Sequence, residues 1–169
     1  HNNRKSKLFN LVKEKLDSKD LLRSRKIINL WKDLSISKYN LPNFITPPEE
    51  KYILLIDQTF GDLSLFYGGG NSNSFYEMFE FATNNWPDHK IVIKTHPDVI
   101  NSRKKGYFGE IFSKHKNIKI ISEKGQINTL IKESSAVCVV TSQVGFEALI
   151  YGKEVHVFGR PFYSGMGLT

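Results

Sequence analysis

The sequence has little cysteine and no long apolar run. Its 169 residues contain one cysteine, Cys138, so no internal disulfide can form and a reducing compartment is allowed. Cys138 lies in the apolar run AVCVV, which predicts a buried, unreactive thiol. No apolar segment approaches the roughly 20 residues that span a bilayer, and the first residues, HNNRKSK, lack the apolar core of a secretory signal. We therefore expect a cytoplasmic protein.

Common ligand-binding signatures are also missing. The glycine cluster GGGNSNS, residues 68–74, has neither the GxGxxG order of a dinucleotide fingerprint nor the GKS or GKT ending of a P-loop. We interpret it as a flexible loop at the mouth of a site. The histidines show no metal-ligand spacing, and no nucleic-acid-binding module is recognisable. We expect no metal ion, no cofactor and no nucleic acid partner.

Positive charge is abundant and is concentrated near the amino terminus. The formal net charge is +7, and much of it precedes Leu41. Such charge attracts nucleic acid, anionic membranes or phosphorylated substrates. A solvated helix face, or a surface that faces an anionic lipid leaflet, explains it most simply. We therefore expect that any membrane contact is peripheral, at the inner face of the cytoplasmic membrane.

Residues 1–48 are predicted to form basic helices followed by a linker. The runs LFNLVKEKL and LLRSRKIINLW each place apolar residues on one helical face, and Asp17 or Ser18 can begin the second helix. The following segment, LSISKYNLPNFITPPEE, contains three prolines and is typical of a linker or an irregular crossing segment.

Residues 49–169 are predicted to form a Rossmann-like α/β domain. Short runs rich in valine and isoleucine predict five strands, which are KYILLID, KIVIKTHPD, NIKIIS, AVCVVTS and EVHVFG. Amphipathic helical stretches alternate with them, namely SFYEMFEFATNNW, GYFGEIFSKH, QINTLIKES and GFEALIYG. This alternation favours a parallel sheet flanked by helices on both faces.

Polar residues follow most of the predicted strands. In such a sheet, ligands bind beyond the carboxyl ends of the strands. The polar exits are DQTFGD at 57–62, KTHPD at 94–98, TSQ at 141–143 and FGRPFYSG at 158–165. We therefore expect one site at this edge, with Lys94, Phe158 and Gly159 in it. Lys94 has a second interpretation, as a solvated edge residue.

The run TSQVGFEAL is typical of a phosphate site. The Thr141 and Ser142 hydroxyls lie where a helix begins, and free backbone N–H groups at a helix start attract anions. Ser142 can equally be an ordinary N-cap. Gly145 allows a close approach by a helix or a ligand. Glu147 is favoured by the helix dipole in the first turn, or it can accept hydrogen bonds from a ribose diol.

His96 and two aspartates are the candidate catalytic residues. His96 follows a strand and precedes a proline that stiffens its loop, so it can donate to a phosphate or protonate a leaving group, or it can be a capping residue. Asp57 and Asp62 surround a glycine turn, and paired carboxylates suit glycosyl chemistry. Asp57 can instead hydrogen-bond its own backbone, and a metal site is disfavoured because further ligands are missing.

Four motifs in order give the sequence a family resemblance. DQTFGDLSL, KTHPD, TSQVGFEALIYGKEVHVFG and RPFYSGMGLT resemble the capsule polysaccharide biosynthesis and export family, the bacterial retaining β-Kdo glycosyltransferases. SKYN, before the first strand, looks like a further family feature, and Met166 stands where the family usually has tryptophan. The resemblance implies the nucleotide-binding half of a GT-B fold, with further chain beyond these residues. It also implies CMP-Kdo as the donor substrate and a lipid-linked or glycan acceptor, with contact to capsule assembly proteins.

The resemblance also implies roles for individual residues. Retention of configuration implies two displacements through a covalent intermediate on a carboxylate, with Asp62 as the first candidate nucleophile and Asp57 as the second. His96 would stabilise the departing CMP phosphate. Ser142 and Gln143 would bind that phosphate or the sugar carboxylate, and Glu147 would hold the ribose.

Two other functions remain open from the sequence. One is a non-catalytic polysaccharide export or assembly partner, which would have no need of His96 and Asp62 at strand exits. The other is a GT-B-fold sugar-nucleotide epimerase, which would prefer UDP to CMP.

Overall fold

The alternation of strands and helices produces one parallel sheet. In this computed structural model, residues 7–101, 104–109 and 117–169 are described, except for the side chains of Leu8 and Phe9. The strands are β1 (Tyr52–Ile56), β2 (Lys90–Lys94), β3 (Ile118–Ile121), β4 (Ala136–Val139) and β5 (Glu154–Val157). Their order in the sheet is β3-β2-β1-β4-β5, and all four pairings are parallel. The predicted five-stranded Rossmann-like sheet is confirmed.

Helices precede the sheet and connect its strands. They are α1 (Lys7–Leu11), α2 (Ser18–Asp33), α3 (Leu63–Tyr67), α4 (Ser72–Asn85), α5 (Pro97–Ile100), α6 (Asn128–Glu133) and α7 (Val144–Ile150). Asp17 caps α2, as predicted, because its carboxylate accepts from the Asp20 N–H. The helix predicted in GYFGEIFSKH, residues 106–115, falls largely on residues 110–115, outside the described part of the chain. Its first residues, 106–109, are not helical.

The two faces of the sheet bury separate apolar clusters, because side chains alternate along each strand. Ile53 and Leu55 of β1 belong to the cluster under α3 and α4. Leu54 and Ile56 belong to the cluster under α6 and α7. Cys138 is buried in the first cluster, as predicted, and burial raises the pKa of its thiol to about 12. Each side chain at a strand end can therefore be assigned to one face of the sheet.

The segment GGGNSNS does not form the flexible loop that we predicted. Asn71 begins α4 with a capping box, in which its side chain accepts from the Asn73 and Ser74 N–H groups and the Ser74 hydroxyl accepts from the Asn71 N–H. A Cβ on Gly70 would lie 2.6 Å from a Val140 methyl group. The glycines therefore allow the chain to pack closely against β4, and NSNS is the start of a helix.

The predicted linker packs against the domain. Ile45 is only 1% exposed and lies in the α6–α7 cluster. Phe44 forms a backbone bridge with Gln126, and Asn128 donates to the Ser35 carbonyl. The division predicted between residues 48 and 49 is therefore not a break in packing. This segment lacks helical or strand periodicity because it crosses the sheet edge in an irregular conformation, with positive φ at Ser35 and Asn40.

The amino-terminal helices and the segment between them leave apolar side chains on the surface. These side chains are Leu11, Val12, Leu16, Leu21, Leu22, Ile27, Ile28 and Leu30. None of the described helices combines the length and the apolar character that a bilayer crossing requires.

Candidate functional site

A cleft lies at the carboxyl ends of β1, β2 and β4. Its cavity measures about 70 Å³, several times the roughly 10–15 Å³ that one water molecule requires. The walls are the segment Ser37–Leu41, the loop after β2, the loop after β3 and the start of α7. The cleft therefore lies where the strand exits led us to expect a site, and it is large enough to hold part of a ligand.

The structure brings some of the predicted site residues together and separates others from the cleft. Those that border the cleft are Asp57, Lys94, His96, Ser142, Gln143 and Glu147. Those that do not border it are Asp62, Thr141, Gly145, Phe158 and Gly159.

His96 precedes α5 and is held in one tautomer. Its Nδ1 accepts from the Asp98 N–H at 3.1 Å, and its Nε2 lies 3.1 Å from the Tyr39 hydroxyl oxygen. Because Nδ1 is an acceptor, the neutral ring carries its proton on Nε2 and donates it to Tyr39. Burial lowers the pKa of His96. The ring is therefore a neutral hydrogen-bond donor at neutral pH, and it also caps α5 as one sequence interpretation held.

Glu147 presents a buried acceptor to the cleft. It lies in the first turn of α7 and is 1% exposed. Its Oε1 accepts from the Lys38 backbone N–H at 3.2 Å, whereas Oε2 is buried and has no partner among the described residues. Burial raises the pKa of this carboxyl, and Lys38 partly offsets the rise. An unpaired buried acceptor requires a donor, and ligand hydroxyl groups can supply one.

Lys94 is not the solvated edge residue that the sequence allowed. It ends β2, which lies inside the sheet between β3 and β1, and it is 5% exposed. Its Nζ donates to the Thr95 carbonyl oxygen at 2.9 Å. Burial lowers the pKa of Lys94 to about 8, against the opposing charge of Glu123. A buried cation therefore borders the cleft.

Asp57 connects two loops. Its Oδ1 accepts from the backbone N–H groups of Gln58 and Tyr107, both at 2.9 Å, and of Phe108 at 3.4 Å. A Cβ on Gly106 would lie 2.1 Å from Oδ2, so only glycine lets this loop approach so closely. Burial raises the pKa of Asp57, and the three backbone hydrogen bonds partly offset the rise. The predicted hydrogen bond to its own backbone is confirmed, through Gln58.

Asp62 lies beside the cleft and caps α3. Its Oδ1 accepts from the Ser64 N–H at 2.8 Å, and its Oδ2 accepts from Gln58 Nε2 at 3.4 Å. Partial burial acts to raise the pKa of Asp62, but these hydrogen bonds and the charge of Lys38 outweigh it, so the pKa lies below its usual value. Asp62 also acts on the pKa of His96 through its charge. Its carboxylate is therefore ionised at neutral pH and lies near the cleft histidine.

Thr141 and Gly159 do not border the cleft and pack against residues next to it. The Thr141 N–H donates to Gln58 Oε1 at 2.9 Å, and its hydroxyl oxygen lies 3.0 Å from Gln58 Nε2 and 3.1 Å from the Ser64 hydroxyl oxygen. A Cβ on Gly159 would lie 2.8 Å from the Thr141 methyl group. These contacts fix the exit of β4 against the exits of β1 and β5. Their predicted ligand contacts stay predictions.

The start of α7 is held by Tyr163. The Ser142 hydroxyl accepts from the Val144 N–H at 3.2 Å, and the Ser142 carbonyl accepts from the Tyr163 hydroxyl at 2.5 Å. Gln143 is exposed at the cleft. The close approach predicted at Gly145 is made by Tyr163, because a Cβ there would lie 2.2 Å from the phenol oxygen.

Gly145→Ala is expected to destabilise the protein by about 1–3 kcal/mol, because the new methyl group overlaps the Tyr163 hydroxyl. Chemical denaturation measures the change. Tyr163→Phe supplies the control, since removing the phenol oxygen relieves the shorter contact and the double variant should lose less stability than the sum of the two single variants. If the stability losses of the two single variants simply add in the double variant, Gly145 is required for something other than its contact with Tyr163.

Phe158 packs into the protein rather than toward the cleft. Its ring lies 5.4 Å from that of Phe81 and joins the cluster under α3 and α4. Its predicted role in ligand binding is untested, but its side chain belongs to the apolar packing of this face.

Sequence reasoning missed most of the wall formed by Ser37–Leu41, and it also missed Lys124. Only the run SKYN indicated this segment, and no role was attached to it. The described residues also contain no group of three or more His, Cys, Asp or Glu side chains that could hold a metal ion.

Comparison with known proteins places the chain in a family. Residues 5–169 match the family described as capsule polysaccharide biosynthesis protein. The chain belongs to this family. Among curated proteins, it is 34% identical over 166 residues to the capsule polysaccharide modification protein LipA of Neisseria meningitidis serogroup A, and the match covers 94% of this chain and 23% of that relative. It is 29% identical over 156 residues to the lipopolysaccharide-processing protein LpsZ of Rhizobium meliloti, which covers 87% of this chain and 34% of that relative.

Two solved structures show the same fold. Thermosulfurimonas dismutans KpsC, described as a beta Kdo 2,4 transferase, matches with a TM-score of 0.83 and 37% identity, covering 96% of this chain and 52% of that one. A second KpsC structure, described as a beta Kdo 2,7 transferase, matches with a TM-score of 0.69 and 30% identity, covering 97% and 49%. The chain thus spans about half the length of these solved relatives. The family resemblance and the α/β fold predicted from the sequence are confirmed.

Proposed function

We propose that this chain is the donor-binding part of a retaining glycosyltransferase that moves Kdo from CMP-Kdo to a lipid-linked or growing glycan in capsule polysaccharide biosynthesis. The observation that carries the proposal is the 37% identity, across 96% of the chain, to a structure described as a beta Kdo transferase. The cleft supports it, because its neutral histidine donor and its buried carboxylate acceptor suit a ligand with both phosphate and hydroxyl groups.

The cleft residues divide the recognition of a nucleotide between them. His96 donates its Nε2 proton to an oxygen of the departing phosphate once Tyr39 gives up this hydrogen bond. Ser142 and Gln143 border the same cleft and supply polar contacts to the phosphate. Glu147 accepts from the ribose hydroxyls through Oε2, which lacks any other partner in the described chain.

The transfer proceeds by two displacements. Asp62 attacks the anomeric carbon of Kdo, a carbon–oxygen bond forms to its carboxylate, and CMP leaves with the bonding electron pair. The acceptor hydroxyl then attacks the same carbon, loses its proton to water, and releases Asp62 as the carboxylate. Two inversions at one carbon give retention overall.

Asp62 suits the nucleophile better than Asp57 on electrostatic grounds. A nucleophilic carboxylate must be ionised, and hydrogen bonds with the Lys38 charge keep the pKa of Asp62 below its usual value. Burial raises the pKa of Asp57, and its Oδ1 holds the backbone N–H groups of two loops. We therefore assign Asp62 to the covalent step and Asp57 to loop positioning.

The proposal includes peripheral contact with the anionic inner face of the cytoplasmic membrane, where a lipid-linked acceptor resides. Helix α2 supports it, because exposed Leu21, Leu22 and Ile27 lie among Arg23, Arg25 and other basic residues. Co-sedimentation with anionic and neutral vesicles tests this part separately.

His96→Ala is expected to weaken CMP binding about 10-fold, because the phosphate loses a hydrogen-bond donor in a partly buried site. Calorimetric titration of the wild type and the variant with CMP, UDP and AMP makes the measurement. The wild type should prefer CMP. An equal affinity for UDP would favour the epimerase, and binding of none of the three would remove the basis for a donor site in this chain.

Two further variants show whether weaker CMP binding comes from the lost hydrogen-bond donor of His96 or from a change in folding. His96→Asn keeps an acceptor for the Asp98 N–H, so α5 stays capped while the imidazole donor is lost. We expect it to bind CMP as weakly as His96→Ala. His89→Ala removes a histidine outside the cleft and should bind CMP like the wild type.

A further inference from the structure

Lys94 is a buried cation that forms no ion pair with the described residues. Within the described ranges, the ion pairs are Lys90 with Glu50 and His156 with Glu154, and neither includes Lys94. Its ammonium group has three N–H donors, and the structure gives it one acceptor, the Thr95 carbonyl oxygen at 2.9 Å. A buried ammonium is costly unless it is paired, so its position at the wall of an open cavity requires an explanation.

The surroundings of Lys94 indicate what would pair with it. In the sheet register Lys94 lies beside Ile56, so both belong to the face that α6 and α7 cover. Glu147 borders the same cavity from α7, yet it forms no ion pair with Lys94 and leaves its own Oε2 unpartnered. One cavity thus offers an unpaired cation and an unpaired acceptor. The complementary ligand carries an anionic oxygen at one position and hydroxyl groups at another.

We propose that Lys94 is the anion subsite of this cleft, where its Nζ pairs with an anionic oxygen of the bound sugar nucleotide, either on the phosphate or on the sugar carboxylate. The inference rests on the proposed function and adds to it the residue that recognises the charge. Glu123 acts on Lys94 through its charge, but no acidic side chain of the described chain forms an ion pair with it, so the ligand supplies the paired charge.

Ligand binding then changes the protonation of the site. Burial holds the pKa of the free Lys94 near 8, and an anion beside Nζ raises it, so binding at pH 8.5 takes up a proton. The other charged or titratable groups around Lys94 are Asp57, His96, Lys38, Tyr39, Glu123, Lys124 and Glu147. Because these groups can also titrate, only proton uptake that is lost in a variant without the Lys94 side chain supports the proposal.

Lys94→Met tests the subsite. Methionine has a similar length and no charge, so the variant should fold at least as well as the wild type, because an unpaired buried charge is removed. Lys90→Met is the matched control, since Lys90 begins the same strand and pairs with Glu50 away from the cleft. Lys94→Arg keeps the charge and should recover part of the lost affinity.

Calorimetry with cytidine, CMP and CMP-Kdo, in two buffers of different ionisation enthalpy, identifies the anion. If Lys94 holds the phosphate, Lys94→Met lowers the affinity for CMP about 10- to 100-fold and spares cytidine. If it holds the carboxylate, only CMP-Kdo binds more weakly. In either case proton uptake falls with Lys94→Met and not with Lys90→Met.

The contrary outcomes separate the two proposals. Wild-type protein that prefers CMP, together with a Lys94→Met variant that binds all three ligands unchanged, overturns the anion subsite and leaves the proposed function in place. Wild-type protein without a preference for cytidine nucleotides overturns both. Circular dichroism and denaturation of each variant show whether an affinity was lost through unfolding.

Discussion

Asp62→Asn is expected to lower the rate of Kdo transfer on the order of 10³-fold or more, while CMP affinity stays within about two-fold of wild type. Asparagine keeps an oxygen that can accept from the Ser64 N–H, so the cap of α3 survives. The variant loses the negative charge, and with it the nucleophile of the first displacement. The measurement is transfer from CMP-Kdo by the protein that carries this chain, with a CMP titration of the same variant.

Asp57→Asn is the matched comparison. It keeps one acceptor oxygen for the backbone N–H groups of Gln58 and Tyr107, so the loops stay in place. We expect transfer to stay within about 10-fold of wild type, because this carboxyl positions a loop and forms no bond to the sugar. The reverse result, with Asp57→Asn inactive and Asp62→Asn active, would exchange the two roles. Mass spectrometry of peptides from a stalled reaction would then find the sugar on Asp57.

The three inner strands were predictable because each is a short apolar run that is buried on both faces. β1 and β4 are fully buried, and burial of this kind leaves a continuous Val- and Ile-rich signature. The start of α4 was less predictable. GGGNSNS is typical of a loop, and the packing of Gly70 against Val140 is a contact with distant sequence that no local pattern predicts.

The candidate site was only partly predictable, because part of its wall comes from distant sequence. The backbone N–H of Lys38 donates to Glu147 across 109 residues, and Tyr39 reaches His96 across 57. No local pattern encodes such contacts. Thr141 and Gly145 carried a local signal, but their contacts with Gln58 and Tyr163 come from distant sequence, and their predicted ligand contacts stay predictions.

The residues proposed to bind the donor and those proposed for the transfer step lie on opposite faces of the sheet. Lys94 lies on the α6–α7 face, together with the unpartnered oxygen of Glu147, and there the cleft can hold charge and hydroxyl groups. Asp57 follows Ile53 and Leu55 on the α3–α4 face, where Asp62 caps α3. A donor bound on the α6–α7 face would therefore extend across the ends of β1 and β2, with its sugar toward the α3–α4 face. In this arrangement the loop held by Asp57 lies next to the reacting end of the donor.

Asp57→Ala is expected to lower the free energy of unfolding by about 3 kcal/mol, because alanine leaves three buried or half-buried backbone N–H groups without an acceptor. For a chain of this size the change corresponds to roughly 6–12 °C in Tm. The loss spreads to the aromatic contacts of the same loop, since the Tyr107 ring stacks on Phe75 at 4.1 Å. Denaturant unfolding of the wild type and the variant measures the difference.

Asp57→Asn shows whether this stability comes from the hydrogen bonds to the loop or from burial of the carboxyl. Asp57→Asn retains an acceptor and should lose about 1–2 kcal/mol, mainly because its amide group replaces Oδ2 where no partner is available among the described residues. Hydrogen exchange should show lost protection at Tyr107 and Phe108 in the alanine variant, and retained protection in the asparagine variant. Equal stability of the two variants would mean that burial of the carboxyl, rather than its hydrogen bonds to the loop, determines the contribution of Asp57.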